Sequence, residues 1–240
     1  MNYLTPKLIL TITIISWLIL SLGIFSPLGF GLDSLSYLDL TFSIPWVIGF
    51  LFLILINHFL SLENFSTKLN LKICLLILGL AWLGLLFGLK SSAPLLGDGL
   101  DRLQALGAGL KKNLAKQPAP LDLLLHWLLY RLLNIFSAQA DYLAYWLFSY
   151  LSGIIYLGTV IIFSLKFFSS KIYRLSFALF LLSPSYVQLF AGYAENYCLI
   201  APGLLFWMMG VLETQKGKIW ILIFAQLFLI LLHFFFLLLL

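Results

Sequence analysis

The sequence predicts an all-α membrane protein, a polytopic bundle of about seven transmembrane helices with one further amphipathic helix at the membrane surface. Of the 240 residues, 62% are hydrophobic and only 10% are charged, whereas a soluble domain carries about 25% charged residues. The hydrophobic residues also form long runs, and a helix crossing the roughly 30 Å hydrocarbon core needs about 20 of them. This composition excludes both an ordinary soluble domain and a disordered chain.

Six hydrophobic runs account for the predicted spans. Leu175–Leu212 is too long for one helix, and its polar middle, Gly192–Tyr197, divides it into two short helices. The run nearest the N-terminus, Leu8–Phe25, is longer than the roughly 7–15 apolar residues of a signal peptide, so we expect a retained signal anchor. Apolar and polar residues do not alternate along the runs, which excludes barrel strands. The other five runs are Leu8–Phe25, Ile44–Leu62, Ile73–Leu89, Tyr142–Leu165 and Ile219–Leu240.

The segment Leu121–Phe136 has a different pattern. Asp122, His126, Tyr130 and Asn134 recur at every fourth position, so they form one polar stripe along a helix. A segment of 16 residues with a charged face is better suited to the membrane interface than to crossing the bilayer. The sequence therefore predicts an amphipathic interfacial helix here.

The distribution of lysine and arginine predicts the orientation. If the interfacial helix does not cross, eight of the 14 basic residues lie in short segments on one side, which the positive-inside rule assigns to the cytoplasm. The long loop 90–141 and the turn at Gly192–Tyr197 then face the extracytoplasmic side of a bacterial-type plasma (inner) membrane. Residues 1–72 would hold two N-terminal helices, and residues 73–240 a second module. Because the chain stops within an apolar run, we expect the N-terminal portion of a longer protein.

Two acidic residues are the leading candidates for chemistry on the extracytoplasmic side. Asp98 lies between two glycines, whose backbone freedom lets a carboxylate approach a ligand closely. A plain Asp-Gly turn is the alternative. Glu195 lies where two short helices meet. A carboxylate at a membrane boundary is costly unless it is paired, so Glu195 is a functional candidate. The alternative for Glu195 is a helix N-terminus stabilised by the helix dipole.

Polar and basic residues near these acids are candidates for substrate binding. Arginine holds phosphate through a bidentate fork and lysine as a point charge, although a loop attracted to lipid headgroups, or a polar face on a surface helix, has the same composition. Cys198 is expected to be a small packing residue within a helix, and no metal-ligand spacing surrounds His58 or His233. The substrate-binding candidates are Asp101, Arg102, Lys111, Lys112, His126, Tyr130, Arg131, Tyr193 and Asn196.

The order of these features resembles the GT-C class of membrane glycosyltransferases, which includes protein O-mannosyltransferases and the bacterial aminoarabinose transferase of lipid A. In that class a span leads into a first extracytoplasmic loop with an essential acidic residue, then amphipathic helices, then closely spaced spans. Ile73–Leu89, Asp98, Leu121–Phe136 and Tyr142–Leu165 follow this order.

A second feature of the class is a Ser-Pro pair near the end of one span with an acidic residue at the start of the next. Ser183, Pro184 and Glu195 are similar to this arrangement. The acidic pair that is often adjacent in the first loop is here Asp98 and Asp101, separated by two residues.

The resemblance implies an enzyme of the cell envelope that transfers a sugar from a polyprenyl-phosphate donor to a lipid, glycan or protein acceptor. Asp98 would accept the acceptor's proton, Glu195 would position the acceptor, and Arg102 with the lysines would neutralise the leaving phosphate. A divalent metal between Asp98 and the phosphate is compatible with this scheme but not required by it. The expected surroundings are membrane lipids, with no nucleic acid.

Other functions stay open on the sequence. A transporter or channel subunit would use broken helices and ionisable residues near the bilayer midplane, and Pro202 and the break at Gly192 are compatible with that function. The interiors of the long runs carry almost no charge, which favours chemistry at the membrane surface over permeation. A non-catalytic membrane scaffold is the third hypothesis.

Overall fold

The computed structural model describes residues 11, 15, 70–88, 99–108, 118–182, 190 and 198–239. All regular structure in these ranges is helical. Seven α-helices are followed by one 3-10 helix, and we number them in chain order. They are α1 (Leu71–Gly88), α2 (Gly99–Ala108), α3 (Pro120–Leu133), α4 (Ala140–Phe167), α5 (Lys171–Leu181), α6 (Ile200–Thr214), α7 (Ile219–Leu232) and the 3-10 helix Phe234–Leu239.

Two of these helices, α1 and α4, are long and apolar enough to cross a membrane. They contain 18 and 28 residues with mean hydropathies of 2.2 and 1.8. At 1.5 Å per residue they are about 27 Å and about 42 Å long, against a hydrocarbon core of about 30 Å. Among the described residues the structure thus supports two membrane spans, and seven spans are not confirmed. The predicted spans Leu8–Phe25 and Ile44–Leu62 lie outside the described residues.

Two of the predicted runs form shorter helices than expected. The run Leu175–Leu212 is represented by α5 and α6, of 11 and 15 residues. The run Ile219–Leu240 is not one continuous α-helix, because α7 ends at Leu232 and His233 adopts an extended backbone with φ −160° and ψ 124°. The amide of Phe234 then donates to the carbonyl of Pro118 over 2.8 Å, so a contact distant in sequence ends the helix.

The chain divides into two compact units, whose boundaries pass through α1 and α4. The first consists of Met1–Trp82 and Ser164–Val187. In its described part, the turn between α4 and α5 is held by Arg174, whose Nε donates to the carbonyl of Phe168 over 2.6 Å. The ring of Phe168 packs against Phe177 with centroids 4.8 Å apart. Arg174 and Phe177 of α5 thus hold Phe168, in the short connection between α4 and α5, in place.

The second unit consists of Leu83–Phe163 and Gln188–Leu240. Helix α3 lies at its centre and contacts both α2 and α7. One hydrophobic cluster joins α3 to α2 and α4, and its buried members are Leu106, Leu123, Ala144 and Tyr145. The other joins α3 to the C-terminal helices, and its buried members are Leu199, Leu229, Leu232 and Phe236. Since α3 contributes to both clusters, side chains from three parts of the chain meet beside it.

Helices α6 and α7 form a close antiparallel hairpin in the second unit. A Cβ atom on Gly210 would lie only 2.8 Å from the Cα of Leu222, so the two backbones approach where only glycine fits. Gly217 makes the turn with a φ of 75°, a conformation that glycine adopts without strain. The buried carboxylate of Glu213 lies 2.9 Å from the Nζ of Lys216 and 3.6 Å from that of Lys218. The ion pair lies at the turn of this hairpin.

The segment predicted as the amphipathic helix, Leu121–Phe136, is α3, with proline at its first turn. Its polar stripe does not face polar surroundings as we expected. Asp122 and His126 are completely buried, whereas the side chains of Leu128 and Leu132 are 51% and 57% exposed. Asp122 and His126 point inward, where aromatic side chains of α4 cover them, as described next, whereas Asn134 at the far end of the stripe is exposed.

Candidate functional site

The structure describes only part of the predicted site. Of its side chains, those of Arg102, His126, Tyr130 and Arg131 are described, and all four lie in the second unit. The predicted residues whose side chains lie outside the described part are Asp98, Asp101, Lys111, Lys112, Tyr193, Glu195 and Asn196.

Asp122 and His126 form the centre of the candidate site. The Nδ1 of His126 lies 2.9 Å from the main-chain carbonyl oxygen of Asp122 and 3.3 Å from the Oδ2 of its carboxylate. A carbonyl oxygen can only accept, so Nδ1 carries the proton and donates. The Nε2 atom then keeps a lone pair, and it has no hydrogen-bond partner among the described residues. One turn of helix thus fixes the tautomer of a buried histidine.

Aromatic rings of α4 enclose this pair. The imidazole of His126 stacks on Tyr145 with ring centroids 4.1 Å apart, and its centroid lies 4.2 Å from that of Phe148. Asp122 and His126 are both 0% exposed. Charges in such a low-dielectric setting interact far more strongly than in water, and a buried carboxylate needs a compensating partner.

Arg102 reaches the same region from α2. Its side chain is 8% exposed, and its guanidinium donates a hydrogen bond to the hydroxyl of Tyr145. The charge of Asp122 also acts on that hydroxyl. The structure therefore brings together two of the predicted residues, Arg102 and His126, around a single tyrosine.

Cys198 completes the cluster and was not among our predicted site residues. It lies in the turn just before α6 rather than within a helix, and it is 1% exposed. One potential ligand atom from each of Asp122, His126 and Cys198 lies within 4.8 Å of the others. Burial, with the Asp122 carboxylate as a smaller cause, raises the pKa of the Cys198 thiol to about 12. The thiol is thus protonated at neutral pH unless a cation stabilises its anion.

The other two described candidates differ in their surroundings. Tyr130 packs against the hydrophobic cluster between α2, α3 and α4. Arg131 is exposed, and its guanidinium carbon lies 5.6 Å from the ring centroid of Trp127, a cation–π arrangement. The structure does not bring Arg131 into the buried cluster.

An apolar pocket begins at the residue that follows Cys198. It has a volume of about 230 Å³ and lies between α4, α6 and α7. Leu199, which follows Cys198 directly in the chain, contributes to its wall, and Ile155 and Thr159 extend it along α4 away from the polar residues. Its lining residues are Ile155, Thr159, Leu199, Pro202, Gly203, Phe206 and Phe228.

Comparison with known proteins adds no relative. No family model, no curated protein and no solved structure matches this chain.

Proposed function

We propose that the protein is an integral membrane glycosyltransferase that moves a sugar from a polyprenyl-phosphate donor to an extracytoplasmic acceptor. One observation carries this proposal: a buried arginine lies in a polar cluster, and the residue that follows Cys198 of this cluster lines an apolar pocket beside a helix long enough to cross a membrane. A lipid-linked sugar phosphate has matching polar and apolar parts, because its charged phosphate lies between a polar sugar and a hydrocarbon chain. The resemblance to the GT-C class supports the same function.

Arg102 is the group that would bind the donor phosphate. A guanidinium offers a planar fork of N–H donors that matches two phosphate oxygens. Because Arg102 is 8% exposed, its attraction for an anion is screened less than that of a surface lysine. The hydrogen bond to Tyr145 holds the guanidinium in place, so little side-chain freedom is lost when the phosphate binds.

The pocket would hold the part of the polyprenyl chain nearest the phosphate. Its walls are almost entirely apolar, and Leu199 joins it to the polar cluster at Cys198. Since lipid tails are as apolar as the pocket walls, van der Waals contact with these walls would hold the chain there. A fixed arginine at one end and an apolar pocket at the other would select an amphiphilic donor over a soluble sugar nucleotide.

The transfer itself would use the acids of the extracytoplasmic loops. The acceptor hydroxyl attacks the anomeric carbon, the new glycosidic bond forms, and the bond from that carbon to the phosphate oxygen breaks. Asp98 would take the hydroxyl proton, and Glu195 would orient the acceptor. Arg102 would stabilise the negative charge that develops on the leaving phosphate, an electrostatic contribution that is often the largest in such reactions.

Sugar transfer in membranes containing the full chain tests this function. The assay supplies a labelled polyprenyl-phosphate sugar and follows label in the acceptor. General-base catalysis is typically worth 10²–10⁴-fold, so Asp98→Asn should lower the rate by roughly that factor. Asp33→Asn, a carboxylate change outside the proposed site, should leave the rate unchanged.

A second arm of the same assay tests the pocket. Thr159→Phe fills it and should raise the KM for the long-chain donor. Ile162→Phe makes a similar change at a position of α4 that is 56% exposed, and it serves as the control. Transfer by Asp98→Asn at the wild-type rate would refute the catalytic scheme, and an unchanged KM in Thr159→Phe would refute the pocket assignment.

A further inference from the structure

Three side chains of the candidate site have a property that the proposed sugar transfer does not use. Asp122, His126 and Cys198 supply a carboxylate, an imidazole and a thiol, with one potential ligand atom from each within 4.8 Å of the others. All three are buried, with exposures of 0%, 0% and 1%. Carboxylate oxygen, imidazole nitrogen and thiolate sulfur are the three ligand types that zinc takes from proteins.

The hydrogen bonding of His126 is the pattern found at metal sites. Histidines that bind a metal with one ring nitrogen usually donate the other N–H to a carbonyl or carboxylate oxygen, which fixes the tautomer. Here Nδ1 donates to the main-chain carbonyl of Asp122 at 2.9 Å. The Nε2 atom is therefore the nitrogen whose lone pair stays available.

A second, independent observation points to a ligand. Within the part of the chain that the structure describes, both carboxylate oxygens of Asp122 and the Nε2 of His126 lack a hydrogen-bond partner, and all three atoms are inaccessible to solvent. Buried polar atoms without a partner are rare in folded proteins and destabilise the fold. Three such atoms in one cluster would be satisfied together by one cation.

We propose that Asp122, His126 and Cys198 bind a divalent transition-metal ion, Zn²⁺, inside the second unit. Sulfur and imidazole nitrogen favour Zn²⁺ over Mg²⁺ and Ca²⁺, which take oxygen ligands and higher coordination numbers. On binding, the thiol of Cys198 gives its proton to solvent. The carboxylate and the thiolate then balance the two positive charges of the ion, so the ion and its three protein ligands together carry no net charge.

The ligand count suggests what such an ion could do. Three protein ligands fill three of the four tetrahedral positions of zinc and leave one for water or another ligand, as in catalytic rather than closed structural sites. The metal would also connect α3 to the turn before α6, two segments far apart in the sequence. This proposal does not depend on the glycosyltransferase function, and a failure of either leaves the other standing.

Metal content of the purified full-length chain tests the proposal. The protein is loaded with Zn²⁺ in detergent, dialysed and analysed by inductively coupled plasma mass spectrometry. We expect about one zinc ion per chain and a loss of most of it in Asp122→Asn, His126→Gln and Cys198→Ser. Cys74→Ser and Asp141→Asn change the same residue types outside the cluster and should keep the wild-type zinc content.

Cobalt substitution gives a readout that needs only the wild-type protein. Co²⁺ bound by a thiolate shows a sulfur-to-cobalt charge-transfer absorption in the near ultraviolet, and we expect this band in the wild type. The proposal is overturned if the wild type binds no stoichiometric zinc, or if its cobalt form lacks the band. Full zinc retention by His126→Gln and Cys198→Ser would also overturn it, because the ion would then be adventitious.

Discussion

The close approach of α6 and α7 at Gly210 gives a prediction with a calculable size. Replacing this glycine with valine puts a Cβ 2.8 Å from the Cα of Leu222 and 3.0 Å from its backbone nitrogen. Real Cβ atoms essentially never make contacts under 3.0 Å, and a contact at 3.0 Å is tighter than nine in ten of those that they make. The atoms in the way belong to the backbone of α7, which cannot move aside as a flexible side chain can, so the two helices have to separate.

The cost follows from the packing of the hairpin. Extra atoms in a well-packed interior typically cost about 1–3 kcal/mol, and backbone atoms as the obstacle place Gly210→Val in the upper part of that range. For a protein of this size, 1 kcal/mol corresponds to about 2–4 °C in melting temperature. A loss of about 2–3 kcal/mol thus lowers the melting temperature by about 4–12 °C.

Thermal unfolding in detergent, followed by tryptophan fluorescence, measures this change, since Trp207 and Trp220 lie on the two helices of the hairpin. Gly107→Val is the matched control, because a Cβ on that glycine of α2 would meet no atom within 4 Å. It should melt close to the wild type. If Gly210→Val melts together with this control, the helices are not packed at Gly210 as described.

Two further predictions concern the same hairpin and the topology. Glu213→Gln should lower the free energy of unfolding by about 1 kcal/mol, because its buried carboxylate lies 2.9 Å and 3.6 Å from two lysine ammonium groups that are largely exposed. An unchanged denaturation midpoint would contradict a stabilising ion pair. Cysteines placed at Gly99 and Ala194 in a Cys74→Ser background should both react with a membrane-impermeant thiol reagent in intact cells. Labelling of only one of them would show that the two loops lie on opposite sides.

The sequence predicted those helices of the described region well that depend on residues within one segment of the chain. Hydrophobic runs predicted α1 and α4 to within two residues at each end, because a long apolar stretch in a helix depends on few distant contacts. The end of α7 could not be predicted in this way. That helix stops where Phe234 bonds to Pro118 and where Gln226 Nε2 donates to the carbonyl of Phe236 over 2.7 Å, and such contacts appear only once the chain has folded.

The candidate site shows the same division between local and distant information. The recurrence of Asp122 and His126 at i and i+4 is visible in the sequence and predicted that they share one helix face. Cys198 carried no such signal, because nothing local connects a cysteine among apolar residues to a helix far away in the sequence. Our interpretation of Cys198 as a packing residue was therefore incomplete: it is buried, and its sulfur lies beside a carboxylate and an imidazole.

The inward direction of the polar stripe changes how α3 is related to the membrane. A helix at a water interface turns its charged face outward, whereas polar residues in lipid face the interior of the bundle. In α3, Asp122 and His126 point inward, whereas Leu128, Arg131 and Leu132 are exposed. Its 14 residues correspond to about 21 Å, less than the roughly 30 Å of hydrocarbon that a span has to cross. These two facts together separate α3 from both kinds of helix: it does not turn Asp122 and His126 to water as a surface helix would, and it is shorter than a span.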